Sequence, residues 1–246
     1  MLDYAQPHLI NQRQLLVINT HADYDHAWER DLVGPDTNQP APIIGTRRCA
    51  ELLRSADGAA HLQEMQQKEP AIFGDVILTP PTILFDEQLT IDGGDLTIEL
   101  FATPGHTVDH LAIYMPEIST LLAADAAELP FPLARTVEGL PAMRESLAKL
   151  AALNAETVLY CHAPVTIGPR LILENIRYYD RLEERCRTAL ANGAPAKPGE
   201  DVDVAELIGY SFDEAVKVGE YEDFLGEHHR RSWHPHVIRM MLEWVA

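Results

Sequence analysis

Histidine and aspartate side chains are grouped in this sequence at the ends of short apolar segments, which suits a metal site. The first group, His21-Ala22-Asp23-Tyr24-Asp25-His26, directly follows the apolar run 14–20. His106 lies in Pro104-Gly105-His106-Thr107 after a second apolar run, and Asp125 and His162 each follow a further one. Imidazole nitrogens and carboxylate oxygens are ligands for zinc, iron and manganese in proteins. The residue types therefore predict a metal centre that is built from four separate segments.

Spacing within these segments predicts which side chains point together. Alternate residues of an extended chain project to the same side, so His21 and Asp23 can address one metal ion. Asp25 and His26 are adjacent and diverge, which lets them address a neighbouring ion. Gly105 permits the tight turn that delivers His106 inward. The first segment alone thus has room for ligands to two neighbouring ions.

The elements that must position these side chains are short strands and amphipathic helices. Strand patterns occupy residues 14–20, 42–45, 75–79, 88–91, 96–103, 111–115, 120–124 and 157–161. Helical spacing occupies 46–67, with a break predicted at Asp57-Gly58, and also 139–153 and 170–192. Alternation of the two predicts an α/β fold. We expect one domain over 1–168 and a helical C-terminal extension over 169–246, packed on the same domain.

The ordered series HADYDH, PGHT, a lone Asp after a strand and a His after another resembles the metallo-β-lactamase-fold superfamily. That family's first motif is His-x-His-x-Asp-His, and the resemblance spans roughly residues 15–168. It implies a four-layer αβ/βα sandwich with two metal ions at the sheet edge. By position, it implies one ion on His21, Asp23 and His106, and a second on Asp25, His26 and His162, with Asp125 bridging both. It also implies hydrolysis by a hydroxide between the ions, with Asp25 and Asp125 as the catalytic residues.

Two departures from the family pattern carry expectations of their own. Asp23 stands where the family has its second histidine, and as a ligand it makes the site harder and more anionic. The alternative is that Asp23 accepts a hydrogen bond from a histidine N–H instead of binding metal. Zinc is the expected metal, and the carboxylate makes manganese or iron the alternatives. Only 20 residues precede His21, whereas the family has several strands there. Either a neighbouring subunit or the helical tail covers the exposed sheet edge, or the start is truncated, and of these we favour a homo-oligomer.

Composition narrows the function classes. There are 19 Lys and Arg residues against 38 Asp and Glu residues, a formal net charge of −19, which disfavours a nucleic-acid partner. No run approaches the roughly 18 apolar residues of a membrane helix, and we expect no membrane partner. Three widely spaced cysteines and the N-terminal residues, which lack a secretory pattern, favour the cytoplasm. A small-molecule substrate fits these features best.

The leading function is a metal-dependent hydrolase of a small ester, thioester or lactone. One alternative is a mononuclear iron dioxygenase that resembles the persulfide dioxygenases, although Asp25, His26 and His162 would then be idle. The other is a non-catalytic binding relative.

Three further expectations concern residues outside the proposed ligand set. Cys161 is predicted to lie in the core, the C-terminal histidines at 228–236 to lie at a solvated or interface-facing helix start, and His110 is left open between a site role and a polar strand start.

Overall fold

The computed structural model describes residues 15–28, 41–216, 221 and 224–246, without the side chain of Val165. The chain divides into two compact units. The first comprises residues 1–89 and 109–111, and the second comprises 90–108 and 112–246. The domain boundary expected at residue 168 stays a prediction. The α/β class is confirmed, because two sheets and helices, including C-terminal helices, are present.

The first unit contains a parallel three-stranded sheet in the order β1-β2-β3. Its strands are β1 (Val17–Ile18), β2 (Ile43–Thr46) and β3 (Ile83–Phe85). Its helices are α1 (Tyr24–Ala27), α2 (Arg47–Arg54), α3 (Ala56–Lys68) and α4 (Pro70–Phe73). The strand that is expected over 14–20 thus shortens to two residues within the described part. The chain leaves β1 at once and turns into the polar segment that carries the candidate ligands.

The helical segment after β2 breaks at Ser55 rather than at Asp57-Gly58. Thr46 caps α2, since its side chain accepts from the amide of Cys49, and Ser55 caps α3 by accepting from the amide of Gly58. A hydroxyl at the N-cap satisfies an amide that has no partner within the helix. Gly58 therefore lies inside the first turn of α3, and the serine two residues before Asp57 sets the break.

The strand expected at 75–79 is wrong, since these described residues form none. The amide of Val76 instead bonds the carbonyl oxygen of Phe73, which closes a turn after α4. Pro80 and Pro81 follow, and proline has no amide hydrogen for a sheet ladder. Pairing resumes only at Thr82, whose amide donates to the carbonyl oxygen of Ile43.

The five-stranded sheet has the order β4-β5-β6-β7-β8. Its strands are β4 (Gln88–Asp92), β5 (Thr97–Ala102), β6 (Leu111–Met115), β7 (Thr120–Ala124) and β8 (Thr157–Tyr160). Strands β6 and β7 are antiparallel, while β7 and β8 are parallel. The helices of the second unit are α5 (Gly139–Ala152), α6 (Arg170–Ala191), α7 (Val204–Ile208), α8 (Phe212–Ala215) and α9 (His234–Val245).

The core of the second unit is formed by α5, α6, α9 and the strands beneath them. Leu140, Leu147, Leu182 and Leu242 have no exposed surface. Each such leucine contributes about 2 kcal/mol through the removal of apolar surface from water. The longest helix, α6, buries one apolar stripe and exposes charged residues on its other side. Across the described part of the chain, every helix is too short or too polar to cross a lipid bilayer.

Two of the four C-terminal histidines, His229 and His234, are buried, which corrects the expectation of a solvated helix start for these two, whereas His228 and His236 are exposed. His234 begins α9 and is 1% exposed. Its Nε2 donates to the carbonyl oxygen of Tyr210 at 2.9 Å, and its Nδ1 accepts from the hydroxyl of Tyr178 at 2.9 Å. The carbonyl contact places a hydrogen on Nε2, and Nδ1 can accept from the hydroxyl of Tyr178 only while the ring is neutral. Burial accordingly lowers the pKa of His234.

We expect His234 to make the fold sensitive to acid. Its pKa is lowered in the folded protein, so the unfolded chain takes up the proton first once the pH falls below about 6.5. The free energy of unfolding should therefore fall with pH in that range, by at most about 1.4 kcal/mol per pH unit for one group. Urea unfolding of metal-free protein at pH values of about 7.5 and about 5.5, on either side of the ordinary histidine pKa, measures this loss.

The matched variant is His234→Gln, which offers an amide that does not titrate. The difference in unfolding free energy between the two pH values should be smaller in this variant than in the natural chain. It should not vanish, because burial also lowers the pKa of His229. Equal differences in both proteins would show that His234 does not contribute.

Candidate metal centre

The first-unit group lies on the segment that leaves β1 and on the short helix α1. His21 is fully buried, and its Nε2 lies 3.4 Å from Oδ2 of Asp23. The Nε2 atom of His26 lies 3.4 Å from Oδ2 of Asp25. The two imidazole rings lie side by side, with centroids 4.0 Å apart. All four ligands predicted in this segment are thus brought together, in the pairs His21–Asp23 and Asp25–His26.

Thr20 orients both imidazoles of this group, and the sequence analysis missed it. Its Oγ1 lies 3.1 Å from Nδ1 of His21 and 3.3 Å from Nδ1 of His26. A hydroxyl oxygen has two lone pairs and can accept from both rings. Each ring then keeps its Nε2 lone pair on the side of a carboxylate. A threonine directly before the motif was the available signal.

Asp109 fixes the same segment from a position 87 residues further along the chain. Its Oδ2 accepts from the amide of Ala22 at 2.8 Å. Its own carbonyl oxygen accepts from the hydroxyl of Thr46 at 2.8 Å. Burial, together with the negative charge of Asp109, raises the pKa of the Cys49 thiol and keeps it neutral. His110 is buried, and its ring centroid lies 4.9 Å from that of His21, so it packs against a candidate ligand.

Asp125 follows β7 in the second unit, at a point where the backbone is strained. The pairing of β7 with β8 shifts register between Leu122 and Ala124, and Ala124 has a φ of 46°. Bulges next to functional sites redirect side chains, and a left-handed alanine carries a conformational cost. The turn places the Asp125 carboxylate, which is 3% exposed, between two imidazoles.

His106 is delivered by Gly105, as the sequence analysis expected. Gly105 has a φ of 145°, and a Cβ there would lie 2.4 Å from Cα of Met143. No other residue fits that backbone and that contact. The Nδ1 atom of His106 lies 2.9 Å from the carbonyl oxygen of Leu133. A carbonyl only accepts, so Nδ1 carries the hydrogen and Nε2 of the neutral ring carries the lone pair.

Each oxygen of Asp125 lies near a different imidazole. Oδ2 lies 3.7 Å from Nε2 of His106, and Oδ1 lies 3.6 Å from Nε2 of His162. The His106 lone pair and the carboxylate are both acceptors, which repel unless a proton or a cation lies between them. This arrangement of the three side chains fits a divalent metal ion. Of His106, Asp125 and His162, only His162 has a largely solvent-accessible side chain, with about half of it exposed.

A second carboxylate at the second-unit part of the site, Glu128, was not predicted. One donor atom from each of His106, Asp125 and Glu128 lies within 4.8 Å of the others, and all three residues are buried. Nothing in the sequence marks Glu128, because it lies outside every motif.

Cys161 corrects another expectation. It is exposed, because β8 ends at Tyr160 and the alternation of faces ends with it.

Comparisons of the sequence and of the structure with known proteins point to the same fold. The family model of the metallo-beta-lactamase superfamily matches residues 9–162. A metallo-beta-lactamase family protein from Thermus thermophilus is similar in structure, with a TM-score of 0.56 and 20% identity. The match covers 90% of this chain and 78% of that one. The chain belongs to the metallo-beta-lactamase superfamily, and it has that superfamily's fold.

Curated proteins of similar sequence indicate the class of reaction. A hydroxyacylglutathione hydrolase from Hahella chejuensis is 30% identical over 214 residues, which is 80% of this chain and 71% of that protein. A hydroxyacylglutathione hydrolase from Pseudomonas aeruginosa is 39% identical over 98 residues, 37% of this chain and 38% of that protein. The chain is therefore related to metal-dependent hydrolases.

Proposed function

We propose that the protein is a binuclear metallohydrolase that cleaves a small thioester, with esters and lactones as the neighbouring substrate classes. The observation that carries the proposal is the Asp125 carboxylate, whose two oxygens lie beside the Nε2 atoms of two different histidines. A carboxylate placed in this way suits a bridge between two ions. Membership of the superfamily supports the same interpretation.

The proposed ligands are those of the sequence analysis. One ion would be held by His21, Asp23 and His106, the other by Asp25, His26 and His162, with Asp125 shared. Support comes from within each unit. His21 pairs with Asp23, and His26 with Asp25, as this division requires. The Nδ1 atoms of His21 and His26 lie within hydrogen-bond distance of the Thr20 hydroxyl, and that of His106 donates to the carbonyl oxygen of Leu133, which leaves the three Nε2 atoms for metal.

Two divalent cations bound here would supply Lewis acidity and a water of lowered pKa. The side chains of the protein have separate tasks. Asp125 holds its two histidines at the spacing that a shared ligand needs, and Asp25 is proposed to orient the attacking water. Thr20 and Leu133 keep the imidazoles from rotating. Asp23 adds negative charge where the superfamily's motif has a neutral histidine, which shifts the preference of this site toward the harder cations manganese and iron, with zinc still the expected metal.

The thioester is chosen from the relatives, since both named proteins are hydroxyacylglutathione hydrolases. Protein loaded separately with zinc, manganese and iron is expected to hydrolyse a hydroxyacyl thioester of glutathione. Release of the free thiol, followed with a chromogenic thiol reagent, measures the rate. The kcat/KM for the thioester should exceed that for an oxygen ester or a lactone of similar acyl group by about tenfold or more, a difference of about 1.4 kcal/mol in the barrier.

Elemental analysis of the same samples distinguishes the alternatives. Two ions per chain are expected. One iron per chain with oxygen uptake in the presence of a persulfide would instead support the dioxygenase alternative. Metal-loaded protein that cleaves neither the thioester nor the oxygen ester nor the lactone would support the binding role. Cytoplasmic location, the homo-oligomer and the small-molecule partner are part of the same proposal, and light scattering with the purified chain tests the oligomer.

A further inference from the structure

Glu128 is a buried carboxylate that none of the superfamily motifs in this sequence includes. It is 2% exposed and lies three residues after Asp125. Burying a carboxylate costs several kcal/mol unless positive charge or donors compensate it. The imidazole of His106 is beside it, with Nδ1 at 3.6 Å from Oε1 of Glu128. The imidazole and the carboxylate therefore form a buried pair.

Glu128 lies on the Nδ1 side of the His106 ring, and one of its oxygens also lies within 4.8 Å of an oxygen of Asp125. Nε2 of His106 faces Asp125, whereas Nδ1, on the other side of the ring, faces both Leu133 and Glu128. The carbonyl oxygen of Leu133 accepts a hydrogen bond from Nδ1 at 2.9 Å. Because Nδ1 carries the hydrogen, the Glu128 carboxylate lies at the positive end of the ring dipole. A carboxylate at this end raises the electron density on the opposite nitrogen.

The backbone of Glu128 is fixed independently of the site. Its amide donates to Oδ1 of Asn175 at 3.1 Å, and its carbonyl oxygen accepts from Nδ2 of Asn175 at 2.9 Å. Asn175 is fully buried on α6. Because both backbone groups are held by one side chain, the backbone of Glu128 has a defined position, from which its carboxylate reaches the His106 ring.

We propose that Glu128 is a positioning residue that holds the His106 imidazole and strengthens its Nε2 as a metal ligand. The inference rests on the proposed binuclear site. Glu128 is therefore expected to matter for one ion, the one assigned to His21, Asp23 and His106.

The test uses Co²⁺ as the probe on the full chain. In Glu128→Gln, the affinity for one of two Co²⁺ ions, measured by competition with a chromogenic chelator, is expected to fall by about 10- to 100-fold. The affinity for the second ion should change much less. The visible absorption of the bound Co²⁺ should shift, since it reports the ligand field. Glutamine keeps the size of the side chain and removes only its charge.

The matched control is Glu145→Gln, which removes one charge from the exposed side of α5 and should leave both affinities unchanged. Metal-free Glu128→Gln should unfold at or above the natural midpoint, because an amide costs less to bury than a carboxylate. Should it fail to fold, Glu128→Met, of similar length, takes its place, with the same selective loss expected.

Three results would overturn the inference. If the natural chain binds two Co²⁺ ions and Glu128→Gln binds both with equal affinity, the positioning role fails while the proposed function stands. If Glu128→Gln loses one ion completely, Glu128 is itself a ligand. If the natural chain binds no Co²⁺, the proposed function and this inference fail together.

Discussion

Asp125→Ala is expected to remove or weaken both metal ions and to lower kcat/KM by about three orders of magnitude, since each 1.36 kcal/mol of lost stabilisation is about a tenfold change in rate. In this variant neither His106 nor His162 has the carboxylate that lies 3.7 Å and 3.6 Å from their Nε2 atoms. In the proposed binuclear site, the two cations would then repel without a shared anion, and we expect several kcal/mol of transition-state stabilisation to be lost. Elemental analysis and thioester hydrolysis measure the two effects.

The comparison variant is Asp23→Ala, which should weaken one ion selectively, since Asp23 lies beside His21, a ligand that is assigned to the first ion alone. Asp95→Ala is the control for loss of a carboxylate, because Asp95 is exposed in the turn between β4 and β5. Full retention of both ions by Asp125→Ala would contradict the bridging assignment. Equal loss of both ions from Asp23→Ala would contradict the division of ligands.

Asn175→Ala is expected to lower the free energy of unfolding by about 3 kcal/mol, because a buried polar group that loses its partner costs about 1–3 kcal/mol. The side chain of Asn175 bonds the amide and carbonyl of Glu128 and the carbonyl oxygen of Pro130 at 3.1 Å, and all of these groups are buried. Urea unfolding measures the loss, and thermal unfolding should shift by about 6–12 °C for a chain of this size.

Leu173→Ala on the same helix is the matched control, because Leu173 is 49% exposed. Its unfolding free energy should change by less than about 0.5 kcal/mol. A loss below about 1 kcal/mol in Asn175→Ala would mean that water replaces the amide. Because the same amide holds the segment after Asp125, metal affinity should fall in Asn175→Ala and stay unchanged in the control.

The candidate ligands could be predicted from the chain because strand ends are local signals. His106 after Pro104-Gly105 and Asp125 after an apolar run are visible without any tertiary information. The helices at 139–153 and 170–192 are predicted within one residue at each end, because their apolar positions repeat with helical spacing. The break at Ser55 is also local, and attention to N-cap hydroxyls would have found it.

Residues that act on the ligands from a distance were not predictable in this way. Asp109 bonds the amide of Ala22 across 87 positions, and Leu133 bonds His106 across 27. A backbone carbonyl has no sequence signature at all. His234 had the opposite problem, because the cluster of histidines near the C-terminus is typical of a polar surface. Only its hydrogen bonds to Tyr178 and Tyr210 show that one of them is a neutral core residue.

The sequence by itself determined which residues are candidate metal ligands, the family to which the chain belongs and the order of its main elements. These follow from residue type and short-range periodicity, which each segment carries in full. The tertiary structure decided how each imidazole is turned, which oxygen of Asp125 meets which ring and that Glu128 lies on the Nδ1 side of the His106 ring. Those features depend on bonds between segments far apart in the chain, and such bonds exist only once the chain has folded.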